Sequence, residues 1–100
     1  MVKHIILWQL KDELSPEDKL KVKTNIKNGL EGLLGKIDGL VNISVQTESL
    51  PSSNADLMLY SEFESADALS GYATHPEHVA VANEKVRPYT KTRLCLDFEE

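Results

Sequence analysis

Hydrophobic and polar positions change period several times along this chain, and each change marks an element. From Lys3 to Lys11 they alternate, with His4, Ile6, Trp8 and Leu10 on one face and Ile5 and Leu7 on the other, which predicts a strand covered on both sides. Ser15-Pro16-Glu17-Asp18 then reads as a helix start: a hydroxyl N-cap, proline at the first helical position, and carboxylates where the helix dipole favours them. Val22, Ile26, Leu30, Leu33, Leu34 and Ile37 follow at helical spacing as one apolar stripe. Lys19, Lys21, Lys23 and Lys27 lie opposite and read as a solvated face. Gly29, Gly32 and Gly35 each weaken the second half of the helix by up to about 1 kcal/mol relative to alanine, so its end is expected near Gly35.

Alternation returns from Leu40 to Thr47, with Val41, Ile43 and Val45 on one side and Asn42, Ser44 and Gln46 on the other. A turn-rich stretch at Ser49 to Asn54 separates this strand from the apolar run Leu57 to Phe63. Ser65 is placed to cap a short helix reaching about Tyr72, and Thr74-His75-Pro76-Glu77 starts another helical piece. A last strand runs from about Lys91 to Phe98, with Thr92, Leu94, Leu96 and Phe98 opposite Arg93, Cys95 and Asp97.

The resulting class is α+β: a ferredoxin-like βαββαβ protomer, an antiparallel sheet with its helices on one face. The other face is expected to mix Asn42, Ser44, Gln46, Arg93, Cys95 and Asp97 with apolar residues of the first and third strands. A second copy packed face to face on it would form a dimeric α/β barrel, whose part-polar lumen would be a natural small-molecule pocket.

Composition narrows the function classes. The chain has 100 residues, 41% of them hydrophobic, and reads as one folding unit over residues 1–100. Its 16 Asp+Glu against 11 Lys+Arg, a net charge of -5, argue against nucleic acid, which rewards clustered basic charge. No apolar stretch approaches the roughly 20 residues that span a bilayer, and the first residues lack a signal-peptide pattern, so no membrane partner and a cytoplasmic location are expected. Cys95 is the single cysteine, which excludes an internal disulfide framework and a cysteine-based zinc site.

Candidate chemistry concentrates in Tyr72-Ala73-Thr74-His75-Pro76-Glu77-His78. At about 100° per residue, His75, Val79, Ala82 and Val86 share a helical face and His78 lies beside it. Histidine titrates near neutrality, so one held next to a tyrosine hydroxyl in a partly dry pocket can act as general base or acid. The plainer alternative makes His75 a helix cap and His78 a half-exposed surface residue. A metal set of His75, His78, Glu77 and His4 is disfavoured, because Glu77 points away from the histidine face. Trp8 suits a core aromatic and Cys95 a small inert residue or pocket lining. No phosphate-binding loop or nucleophile elbow occurs.

At several of these residues the chain resembles the stress-responsive α/β-barrel domain (Dabb) family. The carriers are Lys3-His4-Ile5-Ile6-Leu7-Trp8 with Leu10-Lys11, Phe63-Glu64-Ser65, Tyr72-Ala73-Thr74-His75-Pro76-Glu77-His78-Val79, and Asp97-Phe98. The resemblance implies a ferredoxin-like protomer and a homodimeric barrel, in a family that includes plant members associated with stress. A plant polyketide cyclase of the family uses a tyrosine and a histidine in a cofactor-free aldol-type closure. Tyr72 and His78 match those two positions, and His4 and His75 match further histidines. That cyclase carries another pocket histidine where this chain has Leu57, so its substrate is not carried over. The expectation is a homodimer, without cofactor or side-chain metal ligands, that binds a small hydrophobic or aromatic molecule in its lumen through His4, His75, Trp8 and Val79. The alternative is a cofactor-independent cyclase or lyase, with His78 as general base and Tyr72 positioning a carbonyl.

Overall fold

Ser15 fixes where the first helix begins. Its Oγ accepts the Asp18 amide at 3.0 Å, Pro16 follows at the first helical position, and Glu17 and Asp18 occupy the first turn. The structure, a computed structural model, describes residues 1–100. In chain order the elements are β1 (Val2–Leu10), α1 (Pro16–Glu31), β2 (Leu40–Gln46), β3 (Leu57–Phe63), α2 (Ala66–Thr74), α3 (Pro76–Val81) and β4 (Thr90–Glu99). A π-helical turn, Ala82–Val86, and a 3₁₀ turn, Arg87–Tyr89, carry the chain from α3 into β4.

The four strands form one antiparallel sheet in the order β2-β3-β1-β4, which is the ferredoxin-like arrangement expected. Its covered face presents Ile6, Leu10, Leu59 and Phe63 to Ile26, Leu30 and Leu33, all at most 2% exposed. Burying each such side chain contributes about 1.5–3 kcal/mol, so this layer is the main source of stability. Gly39 is needed where α2 crosses the start of β2: its φ is 83°, and a Cβ there would lie 2.4 Å from that of Ala68. No helix is long and apolar enough to cross a membrane.

Three local expectations are corrected. First, α1 stops at Glu31, four residues before Gly35. The Gly32 amide closes on Asn28 O at 3.0 Å, and shorter turns through Leu30 and Leu33 take over, so Leu33 and Ile37 stay buried while Leu34 is turned outward. Second, a bulge between Leu40 and Asn42 inserts one residue into β2, putting Leu40 with Ile43 and Val45 inside and leaving Val41 exposed. Third, Lys27 is not simply solvated. Its Nζ reaches Glu31 Oε2 at 2.7 Å and Val45 O at 2.9 Å, while the same carboxylate accepts the Val45 amide at 2.9 Å. The pair thereby occupies backbone groups of edge strand β2, and Lys27 and this amide hold the Glu31 carboxyl below its usual pKa.

A larger correction concerns β4. Its register sets Asp97 opposite His4, Cys95 opposite Ile6 and Arg93 opposite Trp8, so these three polar residues lie on the helix side of the sheet. The bare face instead carries Leu94, Leu96 and Phe98 beside Ile5, Leu7, Met58 and Tyr60, with Leu94 and Leu96 more than 60% exposed. It is therefore more apolar than the alternation suggested. Its main charged pair is already compensated: Lys3 Nζ donates to Glu62 Oε2 at 2.6 Å and lies 5.8 Å from the centre of the Tyr60 ring.

Candidate functional site

Because α1 and α2 pack over β1, β2 and β3, the helix-side surface of β4 is left open. The gap is a cavity of about 350 Å³, at the small end of ligand-sized pockets. Ile6, Trp8, Leu30 and Leu59 form its apolar floor. Tyr72, His78, Ala82 and Val86 close it from the helical side, His4 from the sheet, and Arg87, Thr90 and Arg93 form the outer rim. The cavity thus lies within one protomer, between helices and sheet. That corrects the expected lumen between two sheets, and the reason is the β4 register: the polar side of the strand faces the helices.

Tyr72 sits at the end of α2, where the Ser65 cap sets the helical phase by accepting the Ala68 amide at 3.1 Å. Its ring is 2% exposed and packs 5.0 Å from Phe63, 6.1 Å from His4 and 4.2 Å from His78, centre to centre. The hydroxyl is buried and has no hydrogen-bond partner in the protein. Burial pushes its pKa well above the ordinary phenol value, so it remains a proton donor at neutral pH.

His78 enters from α3, half-buried, with Nδ1 3.3 Å from the Ala73 carbonyl. A carbonyl can only accept, so this contact places the proton on Nδ1 and leaves Nε2 as the basic nitrogen. Burial lowers the His78 pKa, the Ala73 carbonyl partly opposes it, and His4, Arg87 and Arg93 push the same way as burial. The ring is therefore neutral at pH 7.

His4 is 7% exposed, and its Nδ1 donates to the Asp97 carboxylate. Cys95 Sγ lies 3.8 Å from the same Nδ1 and 3.5 Å from Asp97 Oδ1. Together His4, Cys95 and Asp97 are the residues whose donor atoms lie close enough to share a metal, within 4.8 Å of one another. They are already bonded to each other, and burial with the Asp97 charge raises the Cys95 thiol pKa, keeping it protonated and a poor nucleophile.

The structure thus gathers His4, Trp8, Tyr72 and His78 around one cavity but leaves His75 and Val79 out of it. His75 is a cap: it ends α2, starts α3, and accepts the Glu77 amide on Nδ1 at 3.1 Å. Val79 is one helical step past His78, which rotates it by about 100° from the cavity side. The metal set drawn from His75, Glu77, His78 and His4 does not converge for the same reason. Sequence reasoning missed Asp97, Arg87 and Arg93 as site residues. Pairing β1 with β4 from the chain ends would have put Asp97 opposite His4, but nothing local signals the two arginines.

Among known proteins, the family model described as the stress responsive A/B barrel domain matches residues 2–100. A stress-response A/B barrel domain-containing protein of Arabidopsis thaliana is 31% identical over 98% of this chain, which spans 36% of that relative's length. A crystal structure from Bacteroides fragilis, described as a dimeric protein of unknown function with a ferredoxin-like fold, is 38% identical with a TM-score of 0.92, covering 99% of this chain and 95% of that one. A solved Arabidopsis thaliana protein is 25% identical with a TM-score of 0.75, over 100% of this chain and 95% of its own.

Proposed function

The chain belongs to the stress responsive A/B barrel domain family, and from that premise we propose that it is a homodimer in which each protomer binds a small, part-aromatic molecule in the cavity between helices and sheet. The observation that carries the binding reading is the Tyr72 hydroxyl. A buried hydroxyl without a partner costs about 1–3 kcal/mol, and a ligand oxygen accepting its proton would recover that cost on binding. The floor of Ile6, Trp8, Leu30 and Leu59 favours an apolar or aromatic body. Assembly is supported by the bare, apolar sheet face and by the dimeric Bacteroides fragilis relative.

The test uses the chain's single tryptophan, which lines the cavity. Titration with acetophenone, a neutral aromatic ketone, is expected to shift the Trp8 indole N–H resonance saturably. Tyr72→Phe should weaken that binding by about fivefold or more, the scale of one neutral hydrogen bond. An indole signal unmoved at millimolar ketone would refute the binding reading.

A second reading rests on His78. Its neutral ring stacks on Tyr72 with Nε2 lacking a protein partner, so a carbonyl oxygen held by the Tyr72 hydroxyl would have a base beside it. Such a base would remove a proton from the carbon next to the carbonyl, while the hydroxyl stabilises charge growing on the oxygen. This is enolisation, the first step of an aldol-type cyclisation, and it needs no cofactor.

A further inference from the structure

The chain contains only two arginines, Arg87 and Arg93, and both line the same cavity. They arrive from different elements: Arg87 from the turn after the α3 segment, and Arg93 from β4, in register with Trp8. Neither takes part in an ion pair. Every ion pair of the protein is made by a lysine, the amino terminus or His4, although 16 carboxylate side chains are present. Arg87 Nη1 donates only to the neutral Asn83 Oδ1, at 2.5 Å, which leaves its charge uncompensated. The nearest carboxylate on the β4 side of the cavity, Asp97, is committed to His4.

In a chain with a net charge of -5, these two guanidiniums make the cavity rim a local cationic site over an apolar floor. A guanidinium presents a planar fork of donors that matches a carboxylate. We infer that the ligand is a small aromatic monocarboxylate, its carboxylate held at the rim by Arg87 and Arg93 and its ring over Trp8 and Ile6. This rests on the binding reading above and adds the chemical class of the molecule. A neutral ligand would leave both arginines without a task. A phosphate monoester, at about −1.5 to −2, also matches two guanidiniums in charge, and inorganic phosphate in the test separates the two anions.

The experiment compares 4-acetylbenzoate with its neutral counterpart 4-acetylbenzamide, and with acetophenone and inorganic phosphate, all read by the Trp8 indole N–H shift on the full chain. The carboxylate is expected to bind about tenfold more tightly than the amide, as one charge-assisted hydrogen bond supplies. Arg93→Gln and Arg87→Gln should each remove most of that preference while leaving the oligomeric state unchanged. Equal affinity for carboxylate and amide, with acetophenone still binding, overturns the carboxylate assignment and leaves the binding reading standing. Failure of all four compounds overturns the binding reading itself. Phosphate displacing the carboxylate at equal concentration overturns the monocarboxylate in favour of a general anion site. Loss of the dimer in either arginine variant overturns it by assigning the arginines to assembly.

Discussion

Tyr72→Phe should make the ligand-free protein more stable, an unusual outcome for a substitution at a residue only 2% exposed. The phenylalanine ring can keep the contacts with Phe63, His4 and His78, because those are made by the ring and not by the oxygen. What disappears is a hydroxyl that was desolvated on folding and gained no hydrogen bond, a cost of about 1–3 kcal/mol. Against this stands the lost dispersion of one oxygen atom and the small void it leaves, a few tenths of a kcal/mol. The net expectation is a gain of about 1 kcal/mol, or a rise in Tm of about 4–8 °C for a chain of this size. Thermal and urea unfolding at one fixed protomer concentration measure it, since the proposed dimerisation would make apparent stability concentration-dependent. Tyr60→Phe, at a half-buried residue on the opposite face, is the control and should show no gain. A Tyr72→Phe protein that is equally stable or less stable refutes the reasoning, because the hydroxyl must then be satisfied in the folded protein.

Two further outcomes follow from the same structure. If His78 is a base, the protein should speed exchange of the central protons of 1-phenylbutane-1,3-dione with D₂O, followed by NMR. The acceleration should vanish in His78→Ala; because the folded-state His78 pKa lies below the ordinary 6.5, it should persist to pH 6.5 and fall only below it, and loss beginning above pH 7 would contradict the assigned protonation state. Leu96→Lys places a charge on the bare sheet face at a residue 61% exposed in the protomer, so it should convert dimer to monomer in sedimentation while the protomer stays folded; an intact dimer would move the interface elsewhere.

Much of the fold is legible in the sequence because its signals are local. Ser15 and Ser65 are readable as caps, Pro16 and Pro76 as first-turn residues, and β1 and β3 as strands, since each depends only on neighbours in sequence. Tyr72 and His78 are close in sequence, but their contact spans the extended residue His75 between α2 and α3, so helical phase alone does not bring them together. What escapes is parity. The alternation in β4 is plain, but alternation does not say which side the helices cover when both sides carry apolar contacts, so it points Arg93, Cys95 and Asp97 to the wrong face. The bulge before Asn42 is a second parity error, because one inserted residue reverses every side chain before it. Pocket residues such as Arg87 depend on where a π-helical turn ends, which the sequence does not mark.

Strand β1 separates the cavity from the bare sheet face by the thickness of a single polypeptide backbone. His4, Ile6 and Trp8 look one way, Ile5 and Leu7 the other, and Lys3 and Gln9 are tied to Glu62 and to the Asn54 carbonyl. Most surface strands tolerate random substitution at every second residue, which lets a lineage drift by small neutral steps. Under the proposed function that freedom is missing over seven consecutive residues: His4, Ile6 and Trp8 answer to the ligand, Ile5 and Leu7 to the partner copy, and Lys3 and Gln9 to hydrogen bonds within the chain. On that reading, a change of ligand is easier from the helical side and the β4 rim, where one requirement acts at a time.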